Sequence, residues 1–533
     1  MQKFLRRLLL TAVVLLAAVA CREDEIIPEE EPAQLRSVIP SYTALTIEGG
    51  EKAELFITVK DPGFDLLSCP IALIRTNGQA SKNVMLADIS KYNTSTGLYR
   101  VKLLDMDADL AYEESLQLAI TLEGGSTMLS SPFTVTKKVD PTAPGFMSTG
   151  LPIVYVNTSG GRAITSKTTF VQANMSIRGS GGYTGMDPVS CNIRGRGNTT
   201  WTWPKKPYLL KLDAQYPVFG MPKHKRWVLL ANFMDRTLMR NMVSMHLSSL
   251  TRLDWTPHFV PVELVLNGVH QGTYLLIEQV RVDNDRVNII EMTPQDNSGE
   301  ALTGGWLLEL DFHYDNEFQW KDHGIPFSVK DPDPEKLTAE QKAYIKNYIA
   351  EVANVIYGSS FADPAKGYAK YLDVDSFIDY WIVYEVMCNH ELGNPGSVFF
   401  HKDRGGPLTA GPCWDFDWGV LSFNTTPGDK RLINRNAIWY SRLFEDPAFK
   451  QKVKVRFYEL LPELEKIPDY MDECEALLAK SAELNFAMWN PADDKVSNGG
   501  KIINGDENLS FHDAVTRLKS NFRTHLNIIK ANL

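Results

Sequence analysis

The sequence predicts an α+β protein built from a β-sandwich and a larger domain that is strand-rich first and helical afterwards. Three observations carry that expectation. Short β-type runs punctuated by turns fill the stretch from Ser37 to Lys138, a Pro-rich segment follows at Val139-Asp140-Pro141-Thr142-Ala143-Pro144-Gly145, and periodicity changes from strand to helix after Pro332 and Pro334. With 533 residues the chain has length for two domains and a large core. Its composition, 44% hydrophobic and 23% charged, is that of globular protein rather than of a disordered chain. A net charge of −10 argues against nucleic acid as a partner, because that role needs a basic footprint.

The N-terminus speaks to compartment. Lys3, Arg6 and Arg7 precede an apolar run, Leu8 to Ala20, too short to span a bilayer, and residues 1–20 read as a signal peptide. Ala18-Val19-Ala20-Cys21 resembles the lipobox of bacterial lipoproteins, which predicts lipid attachment at Cys21. Cleavage at the A-x-A site by the general peptidase is the other reading. Residues 21–36 carry the acidic run Glu23-Asp24-Glu25 and Glu29-Glu30-Glu31 and read as a solvated tether. The acidic run resembles the surface-export signal of Bacteroidetes lipoproteins. The expectation is an outer-membrane lipoprotein, held by its N-terminal lipid and facing the cell surface. Cys69, Cys191, Cys388, Cys413 and Cys474 show no C-x-x-C spacing and are expected as buried free thiols.

Within residues 37–140, strands are expected at Ala53–Lys60, Leu98–Leu104, Leu116–Leu122 and Phe133–Lys137. Leu98-Tyr99-Arg100-Val101-Lys102-Leu103 alternates as a half-buried strand does. That spacing predicts an immunoglobulin-like sandwich, read as a spacer or adhesion module. Residues 141–150 form the linker. In residues 151–533, strands are expected at Ile153–Val156, Thr169–Ile177, Tyr208–Leu212, Trp227–Leu230, Val260–Leu266 and Gly272–Ile277, interrupted by a helix from Asp235 to Leu250. Thr338-Ala339-Glu340-Gln341 begins a helix in the manner of a capping box. Further helices are expected from Asp375 to Met387, between Ser441 and Asn485, and from Phe511 to Ile529. A β-rich half followed by a helical half is the two-lobed pattern of protein kinases.

Two stretches carry chemistry. Cys413-Trp414-Asp415-Phe416-Asp417-Trp418-Gly419 sets two acids among large aromatics, a costly arrangement unless a cation satisfies them. Mg²⁺ held by Asp415 and Asp417 beside substrate phosphates is one reading; a turn in which each Asp caps the backbone is the other. The preceding Ser397-Val398-Phe399-Phe400 and Arg404-Gly405-Gly406-Pro407 suggest a hairpin with the acids at its tip. In the β-rich half, Arg194-Gly195-Arg196-Gly197-Asn198 offers charge and two glycines through which backbone N–H groups could approach an anion. Lys211 then lies inside the apolar strand Tyr208–Leu212, as the phosphate-holding lysine of kinases does; an outward-facing strand lysine is the alternative.

R-G-R-G-N-T-T-W from Arg194, K-P-Y-L-L-K-L from Lys206, G-M-P-K-H-K-R-W-V-L-L-A-N-F-M-D from Gly220, L-M-R-N from Leu238, G-T-Y-L-L-I-E-Q-V from Gly272 and W-D-F-D-W-G from Trp414 occur in that order. Together they resemble the CotH spore-coat kinase family over most of Leu151 to Leu533. The resemblance implies an atypical two-lobed protein-kinase-like fold and ATP-dependent phosphorylation of secreted proteins on serine, with Mg²⁺ or Mn²⁺. Carried over by residue, it makes Arg194, Gly195, Arg196, Gly197 and Asn198 the phosphate-proximal loop and Lys211 the strand lysine. Arg240 and Asn241 would lie on the regulatory helix, and Glu278 and Gln279 near the adenine. Asp415 and Asp417 would be the metal carboxylates.

The chain departs from the family pattern where an N-x-D segment and a later Asn would supply base and second metal ligand. It has Asn389-His390-Glu391 and Ser397 there. Glu391 is the candidate base, with Asp415 and Lys211 completing the expected catalytic set. The expected acceptor is a cell-surface or secreted protein, and a monomer is expected. The alternatives are a non-catalytic surface lipoprotein that binds protein or glycan on a kinase-like scaffold, and a glycan-degrading enzyme working through paired carboxylates.

Overall fold

The computed structural model describes segments of residues 38–137, and residues 149–313, 318–422, 431–491 and 504–533. The signal peptide, Cys21, the acidic tether and the Pro-rich segment lie outside the described residues. The fold is mixed α+β, with two compact units, Met1–Lys138 and Val139–Leu533.

Among the described residues of the first unit, ten strands run in chain order, beginning β1 (Val38–Pro40), β2 (Ala44–Ile47), β3 (Ala53–Val59), β4 (Ile71–Arg75) and β5 (Ala80–Val84). They continue as β6 (Ile89–Asn93), β7 (Leu98–Leu103), β8 (Glu113–Thr121), β9 (Thr127–Leu129) and β10 (Phe133–Lys137). One sheet has the order β1-β3-β7-β6; the other is β2-β10-β8-β4-β5, with β9 on β8. Period-2 alternation in β8 buries Leu116, Leu118 and Ile120 together, as a strand with one wet face should.

The second unit opens with a closed barrel. Its strands are β11 (Ile153–Thr158), β12 (Val171–Arg178), β13 (Met186–Gly195), β14 (Tyr208–Tyr216), β15 (His224–Leu230), β16 (Phe259–Leu266) and β17 (Val269–Glu278). The order is β11-β12-β13-β14-β15-β17-β16, and a parallel β11–β16 pairing closes it, with Ile153 opposite Glu263. Strand alternation divides the side chains between two cores. Leu210, Leu212, Trp227, Leu229 and Leu276 fill the barrel. Their neighbours Leu209, Val228, Leu275 and Ile277 face outward into the core shared with the helices. Truncating one of these fully buried leucines to Ala would cost about 2–5 kcal/mol.

Helix α1 (Arg240–Ser249) crosses between β15 and β16. It starts later than the expected Asp235. The Asp235 carboxylate accepts from the backbone N–H of Thr237 at 2.9 Å and of Arg240 at 2.9 Å, so these residues form a side-chain-capped turn, and Leu238 takes a positive φ of 56°.

Among the described residues, the rest of the unit is a five-stranded sheet and six α-helices. The sheet comprises β18 (Trp306–Leu310), β19 (Gln319–Asp322), β20 (Ile325–Asp331), β21 (Val398–Lys402) and β22 (Leu408–Ala410), in the order β19-β20-β18-β21-β22. The helices are α2 (Ala339–Tyr357), α3 (Val374–Val386), α4 (Tyr440–Leu443), α5 (Pro447–Leu464), α6 (Ile467–Met488) and α7 (Phe511–Asn532). The capping box of α2 forms as its sequence predicts: the Thr338 hydroxyl accepts from Gln341 N, and Gln341 Oε1 accepts from Thr338 N at 3.0 Å. Trp203, Trp227 and Trp381 are core residues, and all five described cysteines are buried free thiols. Among the described residues no helix is long and apolar enough to cross a membrane.

Candidate active site

The acidic stretch follows the β21–β22 hairpin instead of forming its tip. The tip is Asp403–Pro407, tied back by the Gly405 N–H, which donates to Thr303 Oγ1 at 2.9 Å. After β22 the chain turns inward, because Cys413 and Phe416 are fully buried and Phe416 packs on Tyr384 with ring centroids 4.8 Å apart. With those side chains in the core, Asp415 and Asp417 are directed elsewhere. Asp415 holds a positive φ of 64°, an uncommon backbone state for a residue with a Cβ and one frequently stored at functional sites. Its backbone carbonyl accepts from Asn389 Nδ2, and its Oδ2 from Ser397 Oγ, each at 3.4 Å.

Glu391 reaches this pair from the turn after α3. Asn389 caps that turn, its Oδ1 accepting from Glu391 N at 2.9 Å. Glu391 Oε2 is buried without a hydrogen-bond partner. Burial, then the charges of Asp415, Asp417, Asp311 and Glu309, push the Glu391 carboxyl well above the usual carboxylate range. Asp417 is driven upward as well, by burial first and then by the neighbouring carboxylates of Asp415 and Asp235. Asp311 and Glu309 come from the end of β18 and were not singled out from sequence.

Arg196 faces Asp415 and Asp417, while Lys330 Nζ pairs with Glu309 Oε2 at 2.8 Å. The Arg196 guanidinium lies over the Trp414 ring, 5.6 Å from the centroid. Burial lowers its pKa, while Asp415, Asp417 and Glu309 act in the opposite direction. The loop that delivers Arg196 is built differently from the expected anion cradle. Gly195 N donates to Ser166 O at 2.9 Å and Arg196 N to Pro207 O at 3.2 Å, so neither amide is free for a phosphate. Gly195 is glycine because a Cβ would enter the Trp201 ring, and Gly197, at φ 81°, because a Cβ would strike Thr200 Oγ1. Asn198 Oδ1 accepts from Lys167 Nζ at 3.1 Å. Arg194 stays beside the loop, 5.2 Å above the Phe170 ring, with NH1 donating to the Gly195 and Lys167 carbonyls.

Lys211 does not join the cluster. Leu210 and Leu212 take the barrel face of β14, so Lys211 falls on the other face and is exposed, level with Asn192 and Arg226. The buried lysine of this region is Lys205. It is fully buried, and its Nζ donates to Ala231 O at 2.8 Å, Asn485 Oδ1 at 2.7 Å and Thr273 O. Glu278 is likewise committed: its Oε2 accepts from His258 N at 2.9 Å, and Arg286 Nε lies 3.8 Å from its Oε1. Gln279 keeps a buried Oε1 with no hydrogen-bond partner, while its carbonyl accepts from Arg286 NH1 at 2.8 Å.

The structure therefore gathers Arg196, Glu391, Asp415 and Asp417 and leaves Lys211 and Glu278 outside. Among the described residues no three His, Cys, Asp or Glu side chains form a ready-made metal cage. Mg²⁺ is commonly held by one or two carboxylates with the remaining ligands from phosphates and water, and Asp415 and Asp417 form such a pair. The unpartnered Glu391 oxygen and the raised Glu391 and Asp417 carboxyls give a donor set suited to a hard cation.

A groove of about 320 Å³ lies elsewhere, lined by Arg252, Asp379, Arg456 and Glu459 among others. Its charges pair internally: Arg456 Nε donates to Asp379 Oδ1 at 2.7 Å, and Arg252 NH2 to Glu459 Oε2 at 3.0 Å. No curated protein matches the chain. Residues 193–529 match the family model described as CotH kinase protein.

Proposed function

The chain belongs to the CotH kinase family, and on that premise we propose that it transfers the γ-phosphoryl group of ATP to a serine hydroxyl of a cell-surface or secreted protein. The barrel and the helical part would act as the two lobes, with an immunoglobulin-like first unit as spacer and a lipid on Cys21 as outer-membrane anchor. The observation that carries the reading is Arg196 set against Asp415 and Asp417 beside the unpartnered Glu391.

Asp415 and Asp417 would hold Mg²⁺ or Mn²⁺, which supplies charge neutralisation for the phosphates when bound. Arg196 binds the transferring group as a fixed planar cation, positioned by Trp414 before substrate arrives. Glu391 takes the serine proton as the new O–P bond forms and the bond from the γ-phosphorus to the β–γ bridging oxygen breaks. The neighbours that raise its pKa make it a stronger base once ionised. Glu278 and Gln279 each keep a buried side-chain oxygen without a hydrogen-bond partner, and Gln279, the uncharged one, would lie near the adenine.

The test is purified protein with labelled ATP, Mg²⁺ or Mn²⁺ and a serine-rich acceptor. Wild type should label the acceptor and Asp415→Asn should not; equal labelling would sink the assignment. A second reading, nucleotide binding without turnover, is favoured by Ser397, whose hydroxyl stands 3.4 Å from Asp415 where the family pattern has a better metal ligand. Nucleotide-dependent thermal stabilisation without labelling would select it.

A further inference from the structure

The loop bearing Asp415 and Asp417 is fastened from two directions by side chains remote in sequence. From α1, Asn241 Oδ1 accepts the Phe416 N–H at 2.8 Å and Arg240 Nε donates to Val420 O at 2.8 Å. From near the C-terminus, Asn504 Oδ1 accepts the Gly419 N–H at 2.9 Å, while its Nδ2 donates to Asp417 O at 3.2 Å and Met234 O at 2.8 Å. Asn504 is fully buried. The two fastenings are joined, since Arg240 NH2 donates to Asp506 Oδ2 at 2.7 Å and Asn504 N to Glu507 Oε1 at 2.8 Å. Arg517 of α7 holds the same segment, its NH1 donating to Gly505 O at 2.7 Å.

An asparagine side chain that meets the backbone on both sides of Trp418 fixes where Asp417 can stand. Neither bond involves a carboxylate oxygen, so Asn504 leaves the metal-facing atoms open while setting the direction of the chain that carries them. Removing a partner that orients a metal ligand typically costs about 10–100-fold in metal affinity.

We propose that Asn504 is a positioning residue for the cation held by Asp415 and Asp417, an inference that rests on the kinase reading above. Through it the 504–507 segment sets the affinity of the metal–nucleotide site. The test is Mn²⁺ binding followed by electron paramagnetic resonance with a non-hydrolysable ATP analogue present, alongside melting temperature. Asn504→Ala is expected to weaken Mn²⁺ by about 10-fold. Asn504→Asp keeps the acceptor for Gly419 and replaces the donor, so it should also weaken Mn²⁺ and serves if the Ala variant does not fold. Asn485→Ala removes another buried asparagine, one bonded to Lys205, and should lower the melting temperature with Mn²⁺ affinity unchanged.

Unaltered Mn²⁺ affinity in folded Asn504→Ala or Asn504→Asp overturns the proposal while leaving the kinase reading intact. An equal loss in Asn485→Ala overturns it too, by showing a general stability effect. Absence of Mn²⁺ binding in wild type overturns both the proposal and the reading beneath it.

Discussion

Arg196 lies over Trp414 with its guanidinium carbon 5.6 Å from the ring centroid, so an aromatic next in sequence to Asp415 positions the cation that opposes it. The pairing brings a barrel side chain into the charge balance of the site, to which Lys330 also contributes through Glu309 at 2.8 Å. Arg196→Met should lower kcat about 100-fold, the scale for losing one preorganised charge-stabilising donor. Arg196→Lys should recover little, because an ammonium neither stacks on the ring nor presents a fork. Steady-state kinetics with ATP check this, and near-wild-type kcat in both variants would remove Arg196 from the mechanism.

Glu391 is held among acids that disfavour its charge. Glu391→Gln should reduce kcat by about 10²–10⁴ if this carboxylate takes the serine proton. The same substitution removes a buried acid that is costly to ionise, so the nucleotide-free variant should melt above wild type. Calorimetry and single-turnover kinetics on one preparation read both effects. A variant that loses activity and also melts lower would point to a structural role for Glu391.

Much of the frame could be read in advance because its causes are local. The alternation Leu98–Tyr99–Arg100–Val101–Lys102–Leu103 marks a strand whatever surrounds it, and Thr338 with Gln341 marks a helix start. Asp415 and Asp417 stood out because acids among Trp and Phe need a cation. What failed was any inference about which face of a strand meets the site. Lys211 occupies an apolar strand and is still exposed, whereas Lys205 lies just outside that strand and is buried. Its burial is set by Asn485, 280 positions away in sequence. Asn504 and Asp506 were illegible for the same reason: only the folded chain brings them to Gly419 and Arg240.

Lys205 makes the stability of the barrel pH-dependent. Burial pulls its pKa down to about 7, with Glu263 opposing, while an unfolded lysine titrates near 10.4. Between those values the unfolded chain binds more protons than the folded one, so this group's contribution to stability rises with pH from about 7 to about 10. Lys205→Met should flatten that rise. It should also destabilise by about 1–3 kcal/mol for each acceptor left unsatisfied, of which Ala231 O, Thr273 O and Asn485 Oδ1 are the three. Urea melts of both proteins at pH 7 and pH 9 give the comparison, and parallel pH slopes would rule out Lys205 as the source.

Glu385, at the end of α3, organises the ground under the candidate base. Its fully buried carboxylate accepts from Ile433 N at 3.0 Å and Asn434 N at 2.8 Å, and His525 Nε2 of α7 lies 3.0 Å from its Oε1. Asn434 Nδ2 in turn donates to Asn389 O at 3.0 Å, and Asn389 bonds both Glu391 N and the Asp415 carbonyl. Glu385→Gln keeps the shape but turns an NH₂ towards one of these donors, at a cost of about 1–3 kcal/mol. Because Asn389 meets Glu391 and Asp415 through their backbone atoms and leaves both carboxylates untouched, the displacement should appear in kcat and leave KM for ATP within about twofold, the signature of an interaction that matters only in the transition state. A rise in KM with kcat preserved would instead place the network under the nucleotide.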